Sequence, residues 1–152
     1  MIEDAKTRDD ANELLNASVN YARRMLRKYG EFGPFGFSLN EKREVVNETV
    51  PRKDMPPDAS MLLELLHEQL AERGGKKEII AAATAANVTM AKASTEGFSD
   101  ALLVEIEHQS GYCIKAFVPY RIGGGQFLGI LPRYIRFGAV QVQSGEARLF
   151  AH

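Results

Sequence analysis

Hydrophobic and polar residues are spaced in two ways along this chain of 152 residues, and each spacing predicts its own kind of element. Over 7–29, Ala11, Leu14, Leu15, Ser18, Ala22, Met25, Leu26 and Tyr29 recur at three- and four-residue intervals, which makes one apolar stripe on a helix. Thr7, Asp9 or Asp10 can cap its start. Arg23, Arg24, Arg27 and Lys28 crowd its last turns, where cations suit the negative end of the helix dipole, and Gly30 supplies the stop. From Phe35 the spacing changes to two: Phe35, Phe37 and Leu39 alternate with Gly36, Ser38 and Asn40, as in a half-buried strand. A turn over 40–43 and a second strand over 44–50 complete a hairpin, with Phe37 set opposite Val46 and Leu39 opposite Glu44.

A polar connector over 51–57 leads to Asp58, which caps a second helix carrying Met61, Leu62, Leu65, Leu66 and Leu70 and ending at Gly74 and Gly75. The segment 78–91 carries two opposed signals. Its alanines favour helix, whereas Ile79, Ile80, Thr84, Val88 and Thr89 are β-branched and favour strand. Strand is the expectation, with Ile80, Ala82, Thr84, Ala86, Val88 and Met90 on one face, small enough for a helix to approach closely. After a loop over 93–99, the alternation over 100–120 is the clearest in the chain. A three-residue loop of Gln109, Ser110 and Gly111 sets His108 opposite Tyr112, Ile106 opposite Ile114, Val104 opposite Ala116 and Leu102 opposite Val118. The other face then pairs Glu105 with Lys115 and Leu103 with Phe117, and a one-residue slip would destroy both agreements. Pro119 is expected to end the pairing or mark an edge. Short β-like runs over 134–137, 139–142 and 147–150 extend the sheet. The expected fold is α+β, an antiparallel sheet with two helices packed on one face, in the approximate order α-β-β-α-β-β-β-β, as one domain over 1–152.

Composition narrows this picture without redirecting it. Hydrophobic residues make up 45% and charged residues 26%, ordinary values for a globular chain. A net charge of -1 argues against a nucleic-acid partner, because phosphate binding needs a surplus of clustered Lys and Arg. The acidic start, the lack of a long apolar run and a single cysteine, Cys113, point to a soluble cytoplasmic protein with no membrane partner.

The least ordinary stretch is 29–37, where four aromatics and three glycines fall within nine residues around Glu31 and Pro34. A helix ending in Tyr-Gly-Glu-Phe-x-Pro-Phe-Gly, followed by a hairpin, resembles a group of small bacterial proteins of about this length. These share a later hairpin similar to 108–120, including the Pro119–Tyr120 pair. The resemblance implies the order of the elements and no activity.

Candidate chemistry is sparse. Cys113 falls on the hairpin face opposite His108, and no neighbour marks it as a reactive thiol. His67, His108 and His152 lack metal-ligand spacing, and Glu64 with His67 reads as an exposed helix pair. Gly123, Gly124 and Gly125 read as a turn, since the phosphate-loop spacing is absent. Glu105 and Glu107 share a strand face that Lys115 marks as solvated and charged. Candidate binding residues are Tyr29, Glu31, Phe32 and Phe35 of the aromatic loop, with His108, Tyr112 and Tyr120 of the second hairpin. No catalytic residue, metal or cofactor is expected. The expected function is a non-enzymatic binding module, chaperone-like or immunity-like, for an unknown protein partner, with a homodimer among the arrangements. The alternative is a small-molecule or enzymatic pocket between the 29–37 loop and the 108–112 tip.

Overall fold

The computed structural model describes residues 5–51, 53, 58–90, 97–124 and 132–150. Most of the expected connector over 51–57 and residues 93–96 of the loop over 93–99 lie outside these residues, as do Gly125 and His152. The elements are α1 (Ala5–Tyr29), β1 (Phe35–Asn40), β2 (Val45–Glu48), α2 (Ala59–Gly75), β3 (Ile79–Thr89), β4 (Asp100–His108), β5 (Cys113–Gly123), β6 (Tyr134–Phe137) and β7 (Gln141–Ser144). The class is α+β; of the three tail runs, 134–137 is β6, 139–142 is displaced to β7 at 141–144, and 147–150 is not a strand. The antiparallel sheet runs β2-β1-β3-β4-β5-β6, and β7 pairs with β5 beside β6. None of the described helices is long and apolar enough to cross a membrane.

The stop of α1 and the cap of α2 form as their residue types dictate, whereas Thr7, Asp9 and Asp10 do not cap α1, which already runs from Ala5 and holds them in its first turns. Gly30 adopts φ +78 and donates its N–H to the Leu26 carbonyl, closing α1. Asp58 accepts from the N–H groups of Ser60 and Met61 and so opens α2.

The second hairpin has the expected register. Ile106 faces Ile114, Glu105 faces Lys115, and Gly111 takes the left-handed position at φ +97. Pairing continues through Pro119, which faces Ala101 and accepts a hydrogen bond from the Gly138 N–H. The first hairpin is one residue away from expectation: Phe37 faces Asn47 and Leu39 faces Val45. The Asn40 side chain decides this, because its Oδ1 accepts from the N–H groups of both Lys42 and Glu44, while Arg43 turns left-handed at φ 61. Within the segment expected as a strand, β3 covers Ile79–Thr89, but a bulge opposite Leu39 and Asn40 moves Ile80 onto the same face as Ala81, Ala83 and Ala85.

The two helices lie on opposite faces, which corrects the single-face arrangement. Successive side chains of a strand point to opposite sides. Phe35, Phe37, Leu39, Ala83, Leu102, Val104 and Ile106 share the main core with Ala11, Leu14 and Ala22 of α1. Gly36 points the other way and meets Leu66 of α2, and Ala82 packs with Leu70. β3 carries both contacts because its alanines keep both faces low, and Ala81, Ala82 and Ala83 are each 0% exposed. A sheet clamped from two sides needs small residues in its central strand, and that is the use of the alanine run.

Candidate functional site

The aromatic loop and the tip of the second hairpin are at opposite ends of the sheet. Tyr120 pairs with Asp100 at one end of β4, and His108 closes the other end, eight residues further on. At about 3.4 Å per residue the two ends are roughly 27 Å apart. Glu31, Phe32 and Tyr120 come together, whereas His108 and Tyr112 are distant from them.

At the first end, Tyr21, Phe35 and Phe37 form a ring cluster on the α1 side, with centroids 4.4–6.0 Å apart. Phe32 joins it through Phe35 at 5.8 Å and reaches Tyr120 at 6.2 Å. The Tyr120 hydroxyl donates to Asn87 Oδ1. Burial, with Asp100 adding to it, pushes its pKa up to about 12. Phe32, Asn87 and Tyr120 line a solvent-open cleft with Gly30, Glu31, Asp100 and Arg121. Beside it α1 ends in a basic corner. The guanidinium of Arg133 donates to the carbonyls of Arg27 and Lys28 at 3.2 Å each, so a residue from the chain's tail satisfies the last turn of the first helix. Lys28 lies over the Tyr29 ring at 5.1 Å, and Arg23 lies over Phe137 at the same distance. Tyr29 itself is 57% exposed.

At the other end, His108 is a buried tie. Its Nε2 is 3.0 Å from Asp10 Oδ2, and Asp10 Oδ1 accepts from Arg43 Nε at 3.1 Å. Ser110 Oγ is 3.0 Å from His108 Nδ1, so serine, histidine and aspartate are connected as in a nucleophile-base-acid chain. The chain lacks the rest of that chemistry. The Ser110 N–H already donates to Nδ1, and the N–H groups of Gln109 and Gly111 are bonded to the carbonyls of Ile80 and His108. None of those three donors is available to hold an oxyanion. Tyr112 stands opposite His108 and packs on the main core.

A third cluster, between α2 and the sheet, was not singled out from the sequence. His67 is 9% exposed, so it is not part of an exposed helix pair. Its Nε2 lies 3.1 Å from Thr84 Oγ1 and 3.6 Å from Glu105 Oε2. The bond to His67 holds the Glu105 carboxyl below its ordinary range against the opposing effect of burial. The face expected to be solvated is half covered: Glu107 is 4% exposed beneath residues 148–150, and Lys115 reaches Glu105 only at 4.0 Å. A lone Thr84 among alanines was the signal for a polar partner at that depth. Burial and the nearby Glu107 push the Cys113 thiol up, which disfavours its thiolate. No group of three or more His, Cys, Asp or Glu side chains placed to hold a metal occurs among the described residues.

Comparison with known proteins finds no matching family model, curated protein or solved structure.

Proposed function

We propose that the protein is a binding module that holds an acidic segment of another protein at the corner where α1 ends. The observation that carries this reading is the setting of Tyr29. It stands exposed with Lys28 over its ring, at the helix end where Arg133 bonds the carbonyls of Arg27 and Lys28, and none of these three cations has a carboxylate partner among the described residues. Elsewhere Arg43, Arg73, Lys76, Lys115 and Arg148 each have a carboxylate within 4.0 Å, whereas Arg121 and Arg136 have none among the described residues. Tyrosine and arginine are the side chains that most often anchor interfaces, and unpaired charge at the rim steers the partner in. The adjoining cleft, where Phe32 and Tyr120 stand among Glu31, Asn87, Asp100 and Arg121, extends the surface on the side of Gly30.

The test is fluorescence anisotropy with three labelled probes: a peptide alternating Glu with Leu and Tyr, a neutral peptide of the same length, and an oligothymidylate. The acidic peptide should bind best and weaken as salt rises, because exposed charges are screened within about 8 Å at physiological ionic strength. Joint replacement Arg27→Glu and Lys28→Glu should weaken it about tenfold or more. An acidic peptide that binds no better than the neutral one, or that ignores the charge reversal, would refute the proposal. Preference for the oligonucleotide would reassign the corner to nucleic acid. A dimer in sedimentation that the same reversal dissociates would reassign it to a second copy of this chain.

A further inference from the structure

Glu107 is a buried acid that bonds to the main chain. Its two oxygens accept from the N–H groups of Arg148 at 2.6 Å, Leu149 at 2.9 and 3.0 Å, and Phe150 at 2.8 Å. Three successive N–H groups turned onto one anion make a nest, a device that ordinarily captures a ligand's charge. Here the charge comes from β4 and what is captured is the tail. Leu149 packs with Leu70, Ile79 and Ala82, and Phe150 lies against Gly74. Upstream, the Gly145 N–H donates to the Cys113 carbonyl at 3.0 Å, and a Cβ at Gly145 would stand 3.0 Å from the Ile114 backbone. Residues 145–150 are thus pinned at both ends, with Glu146 and Ala147 exposed between the pins.

Beneath this segment is a cleft with His67, Thr84, Glu105 and Lys115 on one side, and Gly145, Glu146, Arg148 and Leu149 of the tail on the other. His67 Nδ1 is buried and has no hydrogen-bond partner among the described residues. A buried imidazole nitrogen without a partner is costly, and its other nitrogen is already directed at Thr84 and Glu105. We propose that residues 145–150 form a latch, held shut by the Glu107 carboxylate, which closes this cleft over His67. Releasing the latch frees the Nδ1 lone pair for water or a polar ligand, with the ring still oriented by Glu105. The inference is independent of the basic corner, which lies on the other side of the sheet.

The test is Glu107→Gln. An amide has one acceptor oxygen where the carboxylate has two, and its NH2 group would face the nest donors. Two readouts apply to the whole chain: hydrogen exchange of the amides at 148–150, and the rate at which diethyl pyrocarbonate acylates each histidine. His108, with both nitrogens bonded, is the internal control. The latch predicts that the variant loses tail protection and that His67 is acylated about tenfold faster or more, a local opening with His108 unchanged. Leu149→Ala, which loosens the tail without touching the buried charge, should act in the same direction. It also keeps the test decisive if the first variant does not fold. Tail amides that stay protected in the variant, or tail amides that exchange while His67 stays unreactive, would overturn the proposal.

Discussion

Asp10 ties three distant parts of the chain together, and removing it gives a worked test of how His108 is held. Asp10 is 4% exposed and His108 is 5% exposed, so their 3.0 Å contact is shielded from water. A hydrogen bond to a charged group is worth about 1.5–3 kcal/mol, and a buried donor left without a partner costs about 1–3 kcal/mol. These describe the same loss from two sides and are not added. The bond from Arg43 at 3.1 Å adds less, because that side chain is 42% exposed and pairs of this kind contribute roughly 0.2–1 kcal/mol. Asp10→Ala should therefore destabilise the fold by about 2–4 kcal/mol, within the usual range for breaking a buried network. Asp10→Asn retains an acceptor for His108 and should cost about 1 kcal/mol, and Arg43→Ala should cost less than about 1 kcal/mol. The chain has no tryptophan, so urea unfolding is best followed by circular dichroism at the helix band. If Asp10→Ala costs under about 0.5 kcal/mol, or if Arg43→Ala costs as much as Asp10→Ala, the assignment of His108 as an Asp10-anchored structural residue is wrong.

Three further outcomes are expected. Glu105 is held below its ordinary 4.5 by the bond from His67, so its contribution is present above that value and is lost as pH falls through the lower folded pKa. Glu105→Gln should flatten the acid limb of Tm against pH, and a variant that keeps the wild-type slope would refute this. Tyr120 is raised from 10.0 to about 12, so the fold favours the neutral phenol, and the associated stability is full below 10.0 and fades as pH rises toward about 12. Tyrosinate absorbance should show one late step that Tyr120→Phe removes, and a high-pH absorbance curve that Tyr120→Phe leaves unchanged in shape would exclude it. A Cβ at Gly74 would lie 2.8 Å from the Leu149 carbonyl oxygen, so Gly74→Ala should cost about 1–3 kcal/mol. At Gly75 a Cβ meets nothing within 4 Å, so Gly75→Ala should be neutral or slightly stabilising, and equal effects at the two sites would contradict the tail packing.

Where sequence reading succeeded or failed depends on how far the deciding partner is along the chain. The register over 100–120 was legible because two independent patterns, apolar on one face and Glu105 with Lys115 on the other, agree for one loop length only. The first hairpin offered no such agreement. Val45 and Val46 are adjacent and both are exposed, so apolar spacing does not choose between registers, and the Asn40 side chain chooses instead. His67 looked like a surface residue because Glu64, three residues earlier on the same helix, made it read as an exposed pair. Its burial comes from Thr84 and Glu105, which lie on other elements. Arg133 reaches the end of α1 from 105 and 106 residues away, and no local spacing announces that.

By itself the sequence determined the helices, the stop at Gly30 and the cap at Asp58, the strand spacings, the register of the second hairpin and the close-packing alanines of β3. These follow from periodicity and backbone chemistry, which act over a few residues. The tertiary structure alone decided that the helices clamp the sheet from both faces, that the aromatic loop and the hairpin tip are at opposite ends, and that Glu107 holds the tail over His67. Each of those depends on which distant surfaces exclude water together, and that is a property of the packed whole.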